Sequence, residues 1–281
     1  MATWFAQNSS VNIDSVNQWN SAADGSGSWL TWASLGASDI LVCNAKTSIA
    51  INVDFTCATL HNGTTYGGTT GGGFTVSTAR TITASLVAGT ATLLTPSSSG
   101  YTLAIVGNLT GGTNSSGVAY TQGVSITCNI TGNVTGAAGH AVNYSVGTIN
   151  ITGDVTGGSS NQQAGVRQSS SILTVNGNVT GGSSGGVGVY STGSNTTTVN
   201  GNISGAAGGI TNYALYSQGS NPVTVNSGNI INQVASVACA GRLKWNPGAT
   251  NYVEIATTAS TQKYYYLRNA TGAGMRGGFN G

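Results

Sequence analysis

A six-residue phrase that returns at nearly constant intervals limits this chain more than any other feature. It has the form Gly, Asn or Asp, apolar, hydroxyl, Gly, small residue. It begins at Gly107 (GNLTGG), Gly132 (GNVTGA), Gly153 (GDVTGG), Gly177 (GNVTGG) and Gly201 (GNISGA), with a weaker echo, GNII, at Gly228. The steps are 25, 21, 24, 24 and 27 residues. Repeats of this length mean a solenoid or an array. Each period carries two short β-prone runs between Gly/Ser/Asn turns, with no helical periodicity and no room for a helix.

One strand can be phased from the pattern. Ahead of each phrase stands Thr-x-Asn: Thr127/Asn129, Thr148/Asn150, Thr174/Asn176, Thr198/Asn200 and Thr224/Asn226. The middle residues are Cys128, Ile149, Val175, Val199 and Val225. Alternation at period two turns the middle residue inward and the Thr and Asn outward. Stacked coil on coil, the flanking residues form an outer ladder and the middle ones an internal column. A second unit, centred on Tyr120, Tyr144, Gln168, Tyr190 and Tyr216, suggests an aromatic row. Glycine and asparagine suit the positive φ of sharp corners. The expected fold is all-β, a right-handed parallel β-helix of about 24 residues per coil.

The core of such a coil is thin. One buried Val or Ile contributes ~1.5–3 kcal/mol, while ordering the backbone costs ~1–2 kcal/mol per residue. Further columns must therefore contribute, and the expectation is that chains pack side by side, most simply as a homotrimer. A monomeric solenoid is the alternative.

Three regions are expected. Residues 1–38 hold Trp4, Trp19, Trp29 and Trp32 among polar residues and carry no repeat. Coils fill 39–237, irregular over 39–106 and regular over 107–237. Residues 238–281 form a C-terminal cap or interaction tail with Arg242, Lys244, Trp245, Lys263, Arg268 and Arg276. Non-repetitive solenoid ends are usually caps. The tryptophans are the first candidates for attachment, because an indole buries large area and still offers an N–H. The basic tail is the second candidate.

Composition removes several function classes. Charged residues are 5% of the chain, against ~25% in ordinary globular proteins. A formal charge of +2 is too small to suggest nucleic acid as a partner. No apolar stretch approaches the ~20 residues of a membrane helix. The N-terminal residues lack a basic and then apolar export signal. Cys43, Cys57, Cys128 and Cys239 are widely spaced and read as buried free thiols.

Catalytic groupings are scarce. The carboxylates are Asp14, Asp24, Asp39, Asp54, Asp154 and Glu254, and a glycan-cleaving solenoid needs two within ~5–10 Å. Among the regular coils Asp154 stands alone, where sister phrases have Asn108, Asn133, Asn178 and Asn202, so it reads as a corner residue. His61 and His140 are about three coils apart, too far for a shared metal. The chain is expected to be no enzyme and to need no cofactor.

The Trp-bearing leader running into SDILVCNAKTSIAINVDFTCATLHNG resembles the starts of many tailed-phage structural proteins. The glycine-punctuated coils are similar to phage tail-spike, fibre and head-decoration solenoids. That resemblance implies a trimer on the virion surface, in contact with other virion structural proteins, most simply as a capsid-decorating or cement protein. Two alternatives stand beside it. One is a tail fibre or spike adhesin that binds host surface glycan. The other is an ice-binding solenoid using the Thr-x-Asn ladder.

Overall fold

The computed structural model describes residues 1–63, 73–89, 92–113, 119–160, 163–184, 186–192 and 196–205, and beyond them the backbone of seven short strands. The chain forms a parallel β-solenoid whose period matches the glycine phrase.

Its longest wall begins with Thr3–Ala6, which pairs in parallel with Ile40–Val42 and continues through Phe55–His61, Arg80–Val87 and Thr102–Val106. It then runs through Thr127–Thr131, Thr148–Thr152, Ile172–Val175 and Thr196–Val199. After a Gly–Asn corner each regular coil continues as a two-residue strand, Leu109–Thr110, Val134–Thr135, Val155–Thr156, Val179–Thr180 or Ile203–Ser204. A third strand per coil closes the turn: Tyr120–Gln122, Val142–Tyr144, Val166–Ser169, Val189–Thr192 and Leu215–Ser217. The earlier coils use a separate small wall, Ile49–Ala50, Phe74–Val76 and Leu94–Pro96. Their ladder also slips register between Thr56 and Thr59, and both features agree with the missing phrase there.

The corner explains the glycine. Gly107, Gly132 and Gly153 have φ of 150°, 147° and 148°, a region L side chains rarely adopt. A Cβ on Gly132 would overlap the carbonyl of Gly107, and one on Gly153 that of Gly132. Glycine therefore lets successive coils approach at the strand spacing of about 4.8 Å.

Inside, the columns are continuous. Leu103, Cys128, Ile149, Leu173 and Thr197 form one, and Ile105, Ile130, Ile151, Val175 and Val199 the next. Leu109, Val134, Val155, Val179 and Ile203 line the second strand. The single column Cys128–Ile149–Val175–Val199 expected from Thr-x-Asn is thus corrected: it splits over two. In the first coils the strand runs two residues further before its glycine (TINITG against LTVNG), so Asn150 faces Thr174, not Asn176. The glycine sets the register, because only glycine fits the close approach.

Parallel pairing continues past Val237. Leu243–Trp245 lies on Val223–Val225, Ala238–Cys239 on Leu215–Ser217, and Val253 on Ile230. The last strand, Lys263–Tyr265, is antiparallel to Val253–Ile255. At the other end Trp19–Asn20 is antiparallel to Thr3–Ala6.

Candidate functional site

The N-terminal segment is bound into the solenoid. Trp19 is 1% exposed. Its Nε1–H donates to the carbonyl of Ile13 at 2.6 Å, and its ring stacks on Phe74 at 6.5 Å. Both the area and the N–H expected to serve a partner are spent on the chain's own core, so Trp19 is a structural anchor. Trp32 meets Phe55 edge-on at 5.8 Å, and Trp4 is half-buried with its Nε1 at 3.4 Å from Asp39 Oδ2. Trp29, at 45% exposure, is the one of the four with a largely open indole.

Five carboxylates with described side chains each hold a piece of the chain. Asp39 accepts from the N–H groups of Ala2 at 2.8 Å and Gly36 at 3.1 Å. Burial opposes its ionisation, yet these bonds and the Trp4 indole hold its carboxyl below the ordinary range. Asp54 accepts from Thr81 N–H at 2.9 Å, Asp14 from the Asn52 amide at 2.9 Å, and Asp24 from Ser26. Asp154 accepts from Asn178 N–H at 2.7 Å.

That last bond belongs to a series. Asn133 N–H donates to Asn108 Oδ1, Asp154 N–H to Asn133 Oδ1, and Asn202 N–H to Asn178 Oδ1, all at 2.9–3.0 Å. Each corner side chain accepts from the backbone of the coil above, and Asp154 fills the Asn place in this series. Among the described residues no group of three or more His, Cys, Asp or Glu is placed to hold a metal.

Over the described strands Thr127–Thr131 to Thr196–Val199, the outer face of the long wall carries no charged side chain. Thr127 faces Thr148 and Asn129 faces Asn150, whose amide donates to Asn129 Oδ1 at 2.9 Å. Thr174 and Thr198 continue the Asn150 position, with the backbone of Thr224 next to them. Asn200 donates to Asn176 at 2.5 Å in the outermost column. The exposed Ile172 interrupts the column of Thr127, Thr148 and Thr196. The amides are thus partly spent on one another, and the face mixes hydroxyl, amide and methyl groups. Asn226 lies outside the described residues.

The third wall revises the aromatic row. Tyr120 and Tyr144 are buried, and the register puts them in different inner columns. Tyr120 leads Val142, Val166 and Val189, while Gln122, Tyr144, Gln168 and Ser191 share the other. Tyr120 Oη donates to Gln122 Oε1 at 3.0 Å and Tyr144 Oη to Gln168 Oε1 at 2.9 Å. The Gln122 amide goes on to the carbonyls of Ile126 and Val146, and that of Gln168 to Thr197 Oγ1. Buried polar groups need such partners. Tyr190 instead occupies the outward column Thr121, Asn143, Arg167, Tyr190, with the backbone of Tyr216 next in register.

A glycine-lined groove of about 430 Å³ lies beside the second strand, with Thr156, Thr180, Ser159 and Ser183 among its lining residues. Its glycines answer to packing: a Cβ on Gly181 would overlap the carbonyl of Gly186.

Of the basic tail, Lys244 and Trp245 fall in the strand Leu243–Trp245 and Lys263 in Lys263–Tyr265. Arg242, Arg268 and Arg276 lie outside the described residues. No protein-family model, curated protein or solved structure matches the chain.

Proposed function

We propose that this chain is a non-catalytic structural component of a tailed-phage particle surface, acting as a side-by-side homotrimer that decorates the capsid. The observation that carries the non-catalytic part is the use of the carboxylates. Asp14, Asp39, Asp54 and Asp154 each hold a backbone or amide N–H of another segment, and Asp24 holds that of Ser26 in its own turn. A carboxylate that fixes a turn serves the rigidity of a rod, where a catalytic acid or base needs access to a substrate proton. The glycine-phrase resemblance supports the particle, and the uncharged outer face of the long-wall strands from Thr127–Thr131 to Thr196–Val199 supports packing of like chains. Exposed apolar residues on the long wall, Val106 at 42% and Ile172 at 50%, add area that a neighbouring chain would cover.

Quantitated virion bands test the assignment. Hundreds of copies per particle are expected for a capsid decoration. A few tens would move the chain to a tail fibre or spike, and none would refute the virion reading. Light scattering on the purified protein is expected to give three chains per particle in solution, and a monomer would remove the trimer.

A further inference from the structure

The outward column of the third wall brings a cation, an amide and a phenol ring together. Arg167 is exposed, and no carboxylate faces it among the described residues. Asn143 precedes it and Tyr190 follows it in the same column, at successive rungs about 4.8 Å apart. His140 sits at the edge of this wall, two residues before Val142. Its Nδ1 accepts the backbone N–H of Ala164 at 2.8 Å. An imidazole that accepts at Nδ1 carries its proton on Nε2 when neutral. Burial, and then the field of Arg167, hold it neutral, with its pKa lowered to about 4. The neutral ring keeps its proton on Nε2.

The column thus presents a guanidinium that no carboxylate faces among the described residues, a carboxamide and a phenol, with the His140 ring at its edge. The guanidinium suits an anion, since it pairs with carboxylate through two parallel bonds. The phenol and the amide, one rung to either side, suit a polyhydroxylated ring: the aromatic face lies against its C–H groups and the amide meets its hydroxyls. A compact anion needs no aromatic neighbour, and an acidic peptide has no matching use for it. We propose that Asn143, Arg167 and Tyr190, with His140 at their edge, form a strip that binds an acidic saccharide along the solenoid wall. Arg167 pairs with the uronate carboxylate, and Tyr190 supports the ring. This site is independent of the particle assignment, because it rests on the third wall alone.

The test uses the full chain and a hexamer of galacturonic acid, with maltohexaose and inorganic phosphate as controls, in titration calorimetry at low and moderate salt. Submillimolar binding of the acidic hexamer is expected, weakened by salt, with neither control bound at the same concentration. Arg167→Thr and Tyr190→Thr place in the column the residue that Thr121 already holds there, so both are expected to keep the wild-type circular dichroism. Arg167→Thr is expected to weaken binding at least tenfold and to remove its salt dependence; Tyr190→Thr is expected to weaken it severalfold. No binding of the acidic hexamer at millimolar concentration would overturn the site. So would affinity unmoved in folded Arg167→Thr. Equal binding of maltohexaose would remove the anion preference, and equal binding of phosphate would remove the saccharide.

Discussion

Replacing Gly132 by alanine tests the claim that close approach at the corner sets the register of the whole stack. The added Cβ would overlap the carbonyl oxygen of Gly107 and lie 2.6 Å from its carbon, where real Cβ atoms essentially never come within 3.0 Å. Both atoms belong to backbone, so no side chain can swing aside. Relief requires the two coils to part locally. That loosens three bonds between them: Gly107 N–H to Thr131, Leu109 N–H to Asn133, and Asn133 N–H to Asn108 Oδ1, at 2.8–2.9 Å. Each contributes ~0.5–1.5 kcal/mol net. Holding an alanine at φ 147° adds a strain cost of about 1–3 kcal/mol. The expected loss is roughly 3–7 kcal/mol, a fall in Tm of about 6–14 °C for a chain of this size. Gly123→Ala is the control, because no atom lies within 4 Å of the place its Cβ would take; it is expected to stay within about 0.5 kcal/mol of wild type. Melting followed by circular dichroism reads both. If Gly132→Ala melted within two or so degrees of wild type, the close-approach account of the repeat would be wrong.

Asp154→Asn restores the residue of the sister coils and is expected to shift stability by less than about 0.5 kcal/mol, read by urea unfolding; a large loss would show that the charge itself matters. Burial pushes the thiols of Cys43, Cys57 and Cys128 up to about 12, so mass-spectrometric mapping at pH 8 is expected to find them unalkylated until the protein unfolds. Because the folded state favours the neutral thiols, their contribution is complete below about pH 9 and is lost as pH rises toward 12. His140 has the opposite dependence: its neutral form is favoured on folding, so its contribution is complete above about pH 6.5 and is lost as pH falls toward 4. The urea midpoint is expected to drop between pH 7.5 and 4.5, by less in His140→Gln; an equal drop in both would assign the effect elsewhere.

The solenoid, its period and its corner glycines were legible in the sequence because one steric requirement recurs in every coil. The register was legible too, but in a different residue from the one that drew the eye. Aligning on Gly153 and Gly177 stacks Ile151 on Val175 as the structure does, whereas aligning on Thr-x-Asn places Asn150 on Asn176 and is two residues out. Thr and Asn are tolerated at any outward position, so their pattern carries no steric information about neighbours. The tyrosines misled for a related reason. Tyr144 and Tyr190 look equivalent by spacing, but the strand that begins at Val142 places its tyrosine third, while the one at Val189 places it second. A one-residue difference inverts the side of the wall. Polar neighbours make Trp19 read as an attachment residue, since nothing local announces Phe74, which arrives from a later coil. The Arg167 column was invisible for the same reason, since its members are some 24 residues apart and meet only through pairing.

Two antiparallel strands among the described residues bear on how a parallel stack can extend. A parallel stack that stopped on a bare rung would present the next chain with a template in the right direction, and copies would add head to tail into a filament. Here Trp19–Asn20 runs against Thr3–Ala6 at one end, and Lys263–Tyr265 runs against Val253–Ile255 at the other. A copy added at either place would pair with a strand of reversed polarity and so could not continue the parallel ladder in step. Head-to-tail stacking is thus disfavoured at these two rungs, while the outer face of the strands from Thr127–Thr131 to Thr196–Val199 is left for lateral contacts.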